Sequence, residues 1–202
     1  MVSKSTLAIE LSKLQVFENA KFKQEQHPTD SEIAAEALWN AFMKGNIEDK
    51  IIADLGCGTG ILGIGCLMLG AKKVYFVEND PGAIASLKGN LRKIDVNEYK
   101  IFEGNINKFN KKVDVIVQNP PFGTKEKHAD REFLLKAFNL TYKIYTFHKT
   151  STSAFVEKIS AENKFKIKDK KNFKFPLKNT MPHHKTRIKR IDVSLFVLEK
   201  IK

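Results

Sequence analysis

The sequence predicts an α/β fold: a mostly parallel, seven-stranded sheet with helices on both faces and an antiparallel strand at its C-terminal end. Two observations support this prediction. Short apolar, β-branched runs alternate with amphipathic helical patterns along most of the chain, which is typical of a doubly wound sheet with right-handed crossovers. The last two strand-like runs follow each other without a helix between them, as expected for a closing hairpin.

The N-terminal part predicts two helices. The first is an amphipathic arm that ends near Ala20 and has apolar residues at helical spacing: Leu7, Leu11, Leu14 and Phe17. Residues 26–29 then form a break. Thr29 and Glu32 fit a capping box, which predicts a second helix that begins there and ends near Gly45.

Seven runs are predicted as strands, at 51–55, 74–78, 99–102, 113–117, 143–147, 164–175 and 188–198. Helices are predicted after Gly60, after Asp80 with Pro81 at the first helical position, at 133–140 and at 153–161. We expect one domain at 1–202, made of a helical arm at 1–48, a core at 49–162 and a basic strand pair at 163–202.

Composition excludes some classes of protein. Cys57 and Cys66 lack the spacing of a disulfide framework or a zinc site, so we expect reduced thiols, no metal and a cytoplasmic protein. The longest apolar run, 61–69, is too short to span a bilayer. Lys and Arg outnumber Asp and Glu by 35 to 23. This excess favours a phosphate-rich partner, or else reflects a solvated lysine-rich surface.

A glycine-rich turn, Asp54-x-Gly56-x-Gly58-x-Gly60, follows the first core strand. Glycines there let a ligand approach the backbone beside a helix N-terminus, although such turns also serve simple strand–helix packing. A dinucleotide fingerprint needs its third glycine at position 61, which is Ile61. The spacing therefore favours S-adenosylmethionine, and residues 49–162 are predicted to form a cofactor-binding core.

Two side chains at strand ends fit the same cofactor. Glu78, at the end of the second core strand, can accept hydrogen bonds from both ribose hydroxyls, or it is a solvated acid. Asn105, just past the third, can reach the adenine edge, or it is a turn asparagine.

The run 113–117 leads into Asn119-Pro120-Pro121-Phe122. If the Asn119 side-chain oxygen and the Pro120 carbonyl accept the two N–H groups of an exocyclic amine, the amine lone pair becomes available for attack on a sulfonium methyl group. The prolines hold the backbone rigid, and Phe122 offers a ring on which an extruded base can stack. A rigid turn without catalytic function is the alternative.

The chain resembles the small class I S-adenosylmethionine-dependent methyltransferases that act on the N6 amine of adenosine in small-subunit ribosomal RNA. The resemblance rests on segments 25–29, 54–58, 119–125 and 147–152. It implies a Rossmann-like fold, a catalytic loop at Asn119, Pro120, Pro121 and Phe122, and a small zinc-binding activator protein that covers a sheet edge. The candidate cofactor contacts are Gln26, Thr29, Asp54, Gly56, Cys57, Gly58, Gly60, Glu78, Asn79, Asn105, Ile106 and Asn119. At Asn105 the family usually has aspartate.

The segment 164–190 contains eleven Lys or Arg residues against the single acid Asp169, interleaved with phenylalanines. This pattern suits phosphate tracking along RNA, or an alternating strand with lysines in water. The candidate RNA contacts are Lys125, His148, Lys149, His183, His184, Lys185 and Arg187. The predicted function is N6-adenosine methylation of structured RNA. A glutamine-amide or DNA-adenine methyltransferase and a non-catalytic RNA-binding subunit are the alternatives.

Overall fold

The computed structural model describes residues 3–15, 29–94, 96, 98–121, 129–177 and 189–201. Its strands form one seven-stranded sheet in the order β3-β2-β1-β4-β5-β7-β6. The strands are β1 (Ile51–Leu55), β2 (Lys73–Glu78), β3 (Tyr99–Glu103), β4 (Val115–Gln118), β5 (Lys143–Lys149), β6 (Phe165–Leu177) and β7 (Lys189–Lys200). The first five pair in parallel, and β7 is antiparallel to both of its neighbours. The predicted fold class is confirmed.

Helices cover both faces of this sheet. They are α1 (Lys4–Ser12), α2 (Ser31–Met43), α3 (Ile61–Met68), α4 (Pro81–Leu91), α5 (Ala129–Leu140) and α6 (Ser153–Glu162). Helices α1 to α4 contribute to one apolar core, and α5 and α6 to the core on the opposite face. Within the described ranges, no helix is long and apolar enough to cross a membrane.

Some boundaries differ from the sequence prediction. Strand β4 begins at Val115. The Val113 N–H donates to the Leu140 carbonyl and not to β1, and the Asp114 N–H makes the first hydrogen bond to β1, at Ile51. Strand β5 continues to Lys149, where it still pairs with β7. The predicted end of the N-terminal arm, near Ala20, lies outside the described residues.

The cap of α2 is Asp30 and not Thr29, so the predicted capping box was wrong. Asp30 Oδ1 accepts the backbone N–H groups of Glu32 and Ile33 at 3.0 and 3.3 Å. Aspartate and threonine are both common N-cap residues. Here Asp30, which directly precedes the first helical residue, is the N-cap. The Thr29 side chain is therefore directed to a different contact.

Helix α3 packs closely on β2 because Gly63 has no side chain. A Cβ at this position would lie 2.3 Å from Cε1 of Phe76, whose ring is fully buried. The Gly63 N–H also donates to Asp54 Oδ2 at 2.8 Å, which ties the helix to β1. Close packing of α3 thus sets where the preceding glycine turn sits.

We predict that Gly63→Ala lowers the free energy of unfolding by about 1–3 kcal/mol, because the added methyl group overpacks the core. Gly89→Ala in α4 is the matched control. Its Cβ would meet only the flexible end of Gln15 at 3.2 Å, so the gain in helix propensity should leave stability unchanged or higher. Urea denaturation of both variants measures the difference, and equal stabilities would contradict the packing argument.

Candidate active site

The loops at the carboxyl ends of β1, β2, β3 and β4 meet at one edge of the sheet. Strand β1 lies between β2 and β4, and Leu55 pairs with Val77 on one side and Gln118 on the other. The chain order of the strands reverses at β1 and β4, and open α/β sheets bind ligands at such a point.

The glycine turn after β1 adopts backbone conformations that side chains disfavour. The φ angles of Gly56, Gly58 and Gly60 are 65°, 55° and 92°. Gly60 caps α3, and a Cβ on Gly56 would lie 2.7 Å from the Phe133 ring. The turn therefore needs glycine both for its conformation and for its close contact with α5.

Glu78 connects the turns that follow β1 and β2. Its Oε2 accepts the Gly58 N–H at 2.8 Å, and its Oε1 accepts the N–H groups of Asn79 and Asp80 at 2.8 and 3.0 Å. A carboxylate has about four acceptor positions. Three are used by the backbone, so Glu78 can accept one more hydrogen bond without losing one that it has. The interpretation as a solvated acid was wrong, because the side chain is buried.

Asp54 and Cys57 are buried beside this turn and stay neutral over much of the pH range. Burial raises the pKa of the Asp54 carboxyl to about 7; the Gly63 N–H opposes the shift and the Glu78 charge adds to it. Burial also raises the pKa of the Cys57 thiol well above its ordinary value. Cys57 is therefore not a thiolate nucleophile.

Asn119 is positioned by a contact from Thr29, the residue before the Asp30 cap of α2. Its Nδ2 donates to Oγ1 of Thr29 at 3.0 Å, across 90 residues of sequence. Thr29 and Pro120 are buried, and Asn119 and Pro121 are half-buried. The Asn-Pro-Pro segment thus lies at the end of β4, next to the glycine turn after β1.

The residues after β3 are engaged in a turn. The Asn105 side-chain oxygen accepts the Asn107 N–H at 2.8 Å, the geometry of a turn asparagine. The Ile106 side chain is buried in the core near Phe109, so only its backbone can face a ligand. Asn79 directly follows β2 and its N–H is bound to Glu78.

His148 lies inside the protein, so its prediction as an RNA contact does not agree with the structure. The residue is 1% exposed. Gln118 Nε2 donates to Thr146 Oγ1 at 3.0 Å, and this hydroxyl lies 2.8 Å from His148 Nε2. The tautomer of the neutral imidazole decides which of these two atoms donates. Burial lowers the pKa of His148 to about 3.

Comparison with known proteins agrees with this geometry. The family described as methyltransferase small domain matches residues 18–140, more than half of the chain. The chain belongs to this family. It is 31% identical to the rRNA N(6)-adenosine-methyltransferase METTL5 of Danio rerio over 92% of each protein, and 31% identical to Mettl5 of Drosophila melanogaster over 91% of this chain and 90% of that protein.

A solved structure from Pyrococcus horikoshii, assigned as a candidate RNA methyltransferase, is 41% identical. It covers 100% of both chains with a TM-score of 0.91. The predicted resemblance to the methyltransferase family is confirmed.

Several predicted site residues lie outside the described part of the chain. They are Gln26, Phe122, Lys125, His183, His184, Lys185 and Arg187. Their roles stay predictions. Lys149 is described; it is half-buried at the end of β5, at the same edge of the sheet as Asn119.

Two residues of the site were not identified from the sequence. Asn90 in α4 is fully buried, and its Nδ2 donates to the carbonyls of Thr59 and Gln15, each at 3.0 Å, while its Oδ1 accepts the Gln15 N–H. It joins the glycine turn to the segment after α1. Phe133 covers Gly56. Asn90 could have been identified from the sequence, because it is a polar residue at a position that belongs to the apolar face of α4.

We predict that His148 makes stability depend on pH. Its pKa is about 3 in the folded protein and about 6.5 when unfolded, so its contribution is present above pH 6.5 and lost as pH falls toward 3. Relative to His148→Gln, the wild type should lose about 1.4 kcal/mol of unfolding free energy per pH unit below 6.5. Urea denaturation at several pH values measures this; a difference that does not change with pH would contradict a buried neutral imidazole.

Proposed function

We propose that this chain is an S-adenosylmethionine-dependent methyltransferase that modifies the N6 amine of adenosine in structured RNA, with small-subunit ribosomal RNA as its substrate. The observation that carries the proposal is the position of Asn119. It lies at the end of β4 beside the glycine turn of β1, with its amide nitrogen hydrogen-bonded to Thr29.

The residues at this edge fit an adenosyl cofactor. Gly56, Gly58 and Gly60 have positive φ angles and no side chains, which permits close approach. Glu78 has acceptor capacity at the end of β2. Both ribose hydroxyls can bind Glu78 only if one backbone hydrogen bond is exchanged. When bound, S-adenosylmethionine supplies an electrophilic methyl group on a sulfonium.

The Asn-Pro-Pro segment would activate the substrate amine. An exocyclic amine is a poor nucleophile because its lone pair is delocalised into the ring. Asn119 Oδ1 and the Pro120 carbonyl oxygen each accept one amine N–H, which draws the nitrogen toward tetrahedral geometry. Two successive prolines keep that carbonyl in place. The product ammonium is acidic and loses its proton to water, so no general base is required.

RNA is the substrate class that the relatives and the charge support. METTL5 of Danio rerio is named as an rRNA adenosine methyltransferase, and the matched regions cover nearly the whole length of both proteins. The formal net charge of +12 favours a polyanion over a peptide. The cytoplasmic location predicted from the sequence stays a proposal.

We predict that Asn119→Ala lowers kcat by at least about 100-fold, because it removes an acceptor for the reacting amine. Affinity for S-adenosylmethionine should change by less than about 3-fold, since the mechanism places Asn119 Oδ1 on the reacting amine and the other candidate cofactor contacts are kept. The assay uses labelled S-adenosylmethionine with transcribed small-subunit ribosomal RNA, followed by nucleoside mass spectrometry for N6-methyladenosine. Calorimetry measures cofactor affinity in parallel.

The same assay run on a ribosomal protein mixture and on duplex DNA distinguishes the alternatives. Label on glutamine or only on DNA would contradict the RNA proposal. Cofactor binding that is undetectable would instead favour a non-catalytic RNA-binding subunit. Transfer by Asn119→Ala near the wild-type rate would contradict the mechanism.

We also propose that the zinc-binding activator implied by the resemblance pairs with edge strand β3. The other edge, β6, has a β-bulge after Ile167 and exposed lysines, features that oppose strand addition. In β3, Gly104 donates its N–H to Glu78 and the Glu98 carbonyl accepts from Val74, so the backbone groups of Ile101 and Glu103 point away from the sheet.

We predict that Glu103→Pro weakens binding of such an activator at least about 10-fold, because proline removes an outward N–H from the edge. Glu103→Ala is the matched control: it removes the salt bridge to Lys88 but keeps the N–H. Co-purification of tagged variants with the co-expressed activator, together with melting temperatures, measures the effect. Equal binding by both variants would contradict pairing along β3.

A further inference from the structure

We infer that Thr29 is a positioning residue that sets the orientation of the Asn119 amide. This inference rests on the proposed function, since it assigns Thr29 a role in presenting Asn119 Oδ1 to the substrate amine. The hydrogen bond from Asn119 Nδ2 to Thr29 Oγ1, 3.0 Å long, is the observation that supports it.

The amide orientation decides whether Asn119 can act. The two ends of an asparagine amide have nearly the same shape but opposite hydrogen-bonding properties: the oxygen accepts and the nitrogen donates. An amine N–H needs an acceptor. If the amide were rotated by half a turn, Nδ2 would face the substrate as a second donor, and the interaction would be lost.

Thr29 is available for this contact because of the cap of α2. Asp30 accepts the N–H groups of the first helical turn, so the Thr29 hydroxyl is not needed there. Thr29 as a residue is only 6% exposed, which limits competition by water for its hydrogen bond to Asn119. A contact in a water-excluded place restricts the amide more strongly than one at the surface.

The Thr29 hydroxyl can both accept and donate a hydrogen bond. In the structure its Oγ1 accepts from Asn119 Nδ2. This contact turns the amide nitrogen toward Thr29, so Oδ1 lies on the other side of the amide, where the reacting amine needs an acceptor.

Thr29→Val and Thr29→Ser test the inference. Valine has nearly the same shape and no hydroxyl, whereas serine keeps the hydroxyl. We expect Thr29→Val to lower kcat about 10- to 100-fold with KM for RNA within about 3-fold, because the acceptor is present but misoriented. Thr29→Ser should stay within about 3-fold of the wild type in both parameters.

A readout without substrate keeps the two proposals separate. The side-chain 15N–1H signals of Asn119, assigned by their absence in Asn119→Ala, should shift in Thr29→Val and keep their positions in Thr29→Ser. Titration with S-adenosylhomocysteine measures cofactor-site affinity in each variant. Melting temperatures check folding, and if the valine variant is unstable, a defective Thr29→Ser variant would still overturn the inference.

Three results would overturn the inference. They are unshifted Asn119 signals in Thr29→Val, a serine variant as defective as the valine variant, and a loss of kcat fully explained by weaker binding of S-adenosylhomocysteine. If the wild type does not methylate RNA but the signals shift as expected, the proposed function fails while the contact between Thr29 and Asn119 stands.

Discussion

The parallel pairing of β1 with β4 is the constraint on which the site depends. Leu55 pairs with Gln118, so the glycine turn and the Asn-Pro-Pro segment leave the sheet at the same level on adjacent strands. Strand β2 continues this alignment, because Leu55 also pairs with Val77, the residue before Glu78. A shift of one residue in either pair would turn the side chains of that strand to the opposite face. The register of three strands therefore brings together groups that are far apart in sequence.

Glu78 holds this arrangement by accepting three backbone N–H groups from two different turns. Such bonds to a charged acceptor are among the stronger ones in proteins. They organise the glycine turn, and preorganisation of this kind lowers the entropy that ligand binding must overcome. The same bonds limit the carboxylate to one further acceptor position, so the proposed cofactor contact and the structure of the turn depend on one side chain.

Sequence patterns over a few residues predicted the elements whose structure depends only on neighbouring residues. Strand–helix alternation, the glycine turn, the Asp80 cap and the closing hairpin follow from periodicity and turn chemistry over a few residues. Contacts between distant segments could not be predicted in this way. Whether Thr29 caps a helix or binds Asn119 depends on where β4 ends. His148 became a candidate RNA contact because the predicted strand ended at Phe147, whereas β5 continues to Lys149 and buries it. The burial of Asn90 likewise depends on contacts of α4 with the glycine turn and with the segment after α1.

Charged side chains of β6 form ion pairs with α2, its C-terminal cap and β7. Lys171 pairs with Glu36 of α2, Lys174 pairs with Asp192 of β7, and Asp169 pairs with Lys44 at the end of α2. The partners are partly exposed, and ion pairs of this kind contribute about 0–1 kcal/mol each. The acidic partners therefore neutralise part of the positive charge of β6, and the loss of one such pair would change stability little.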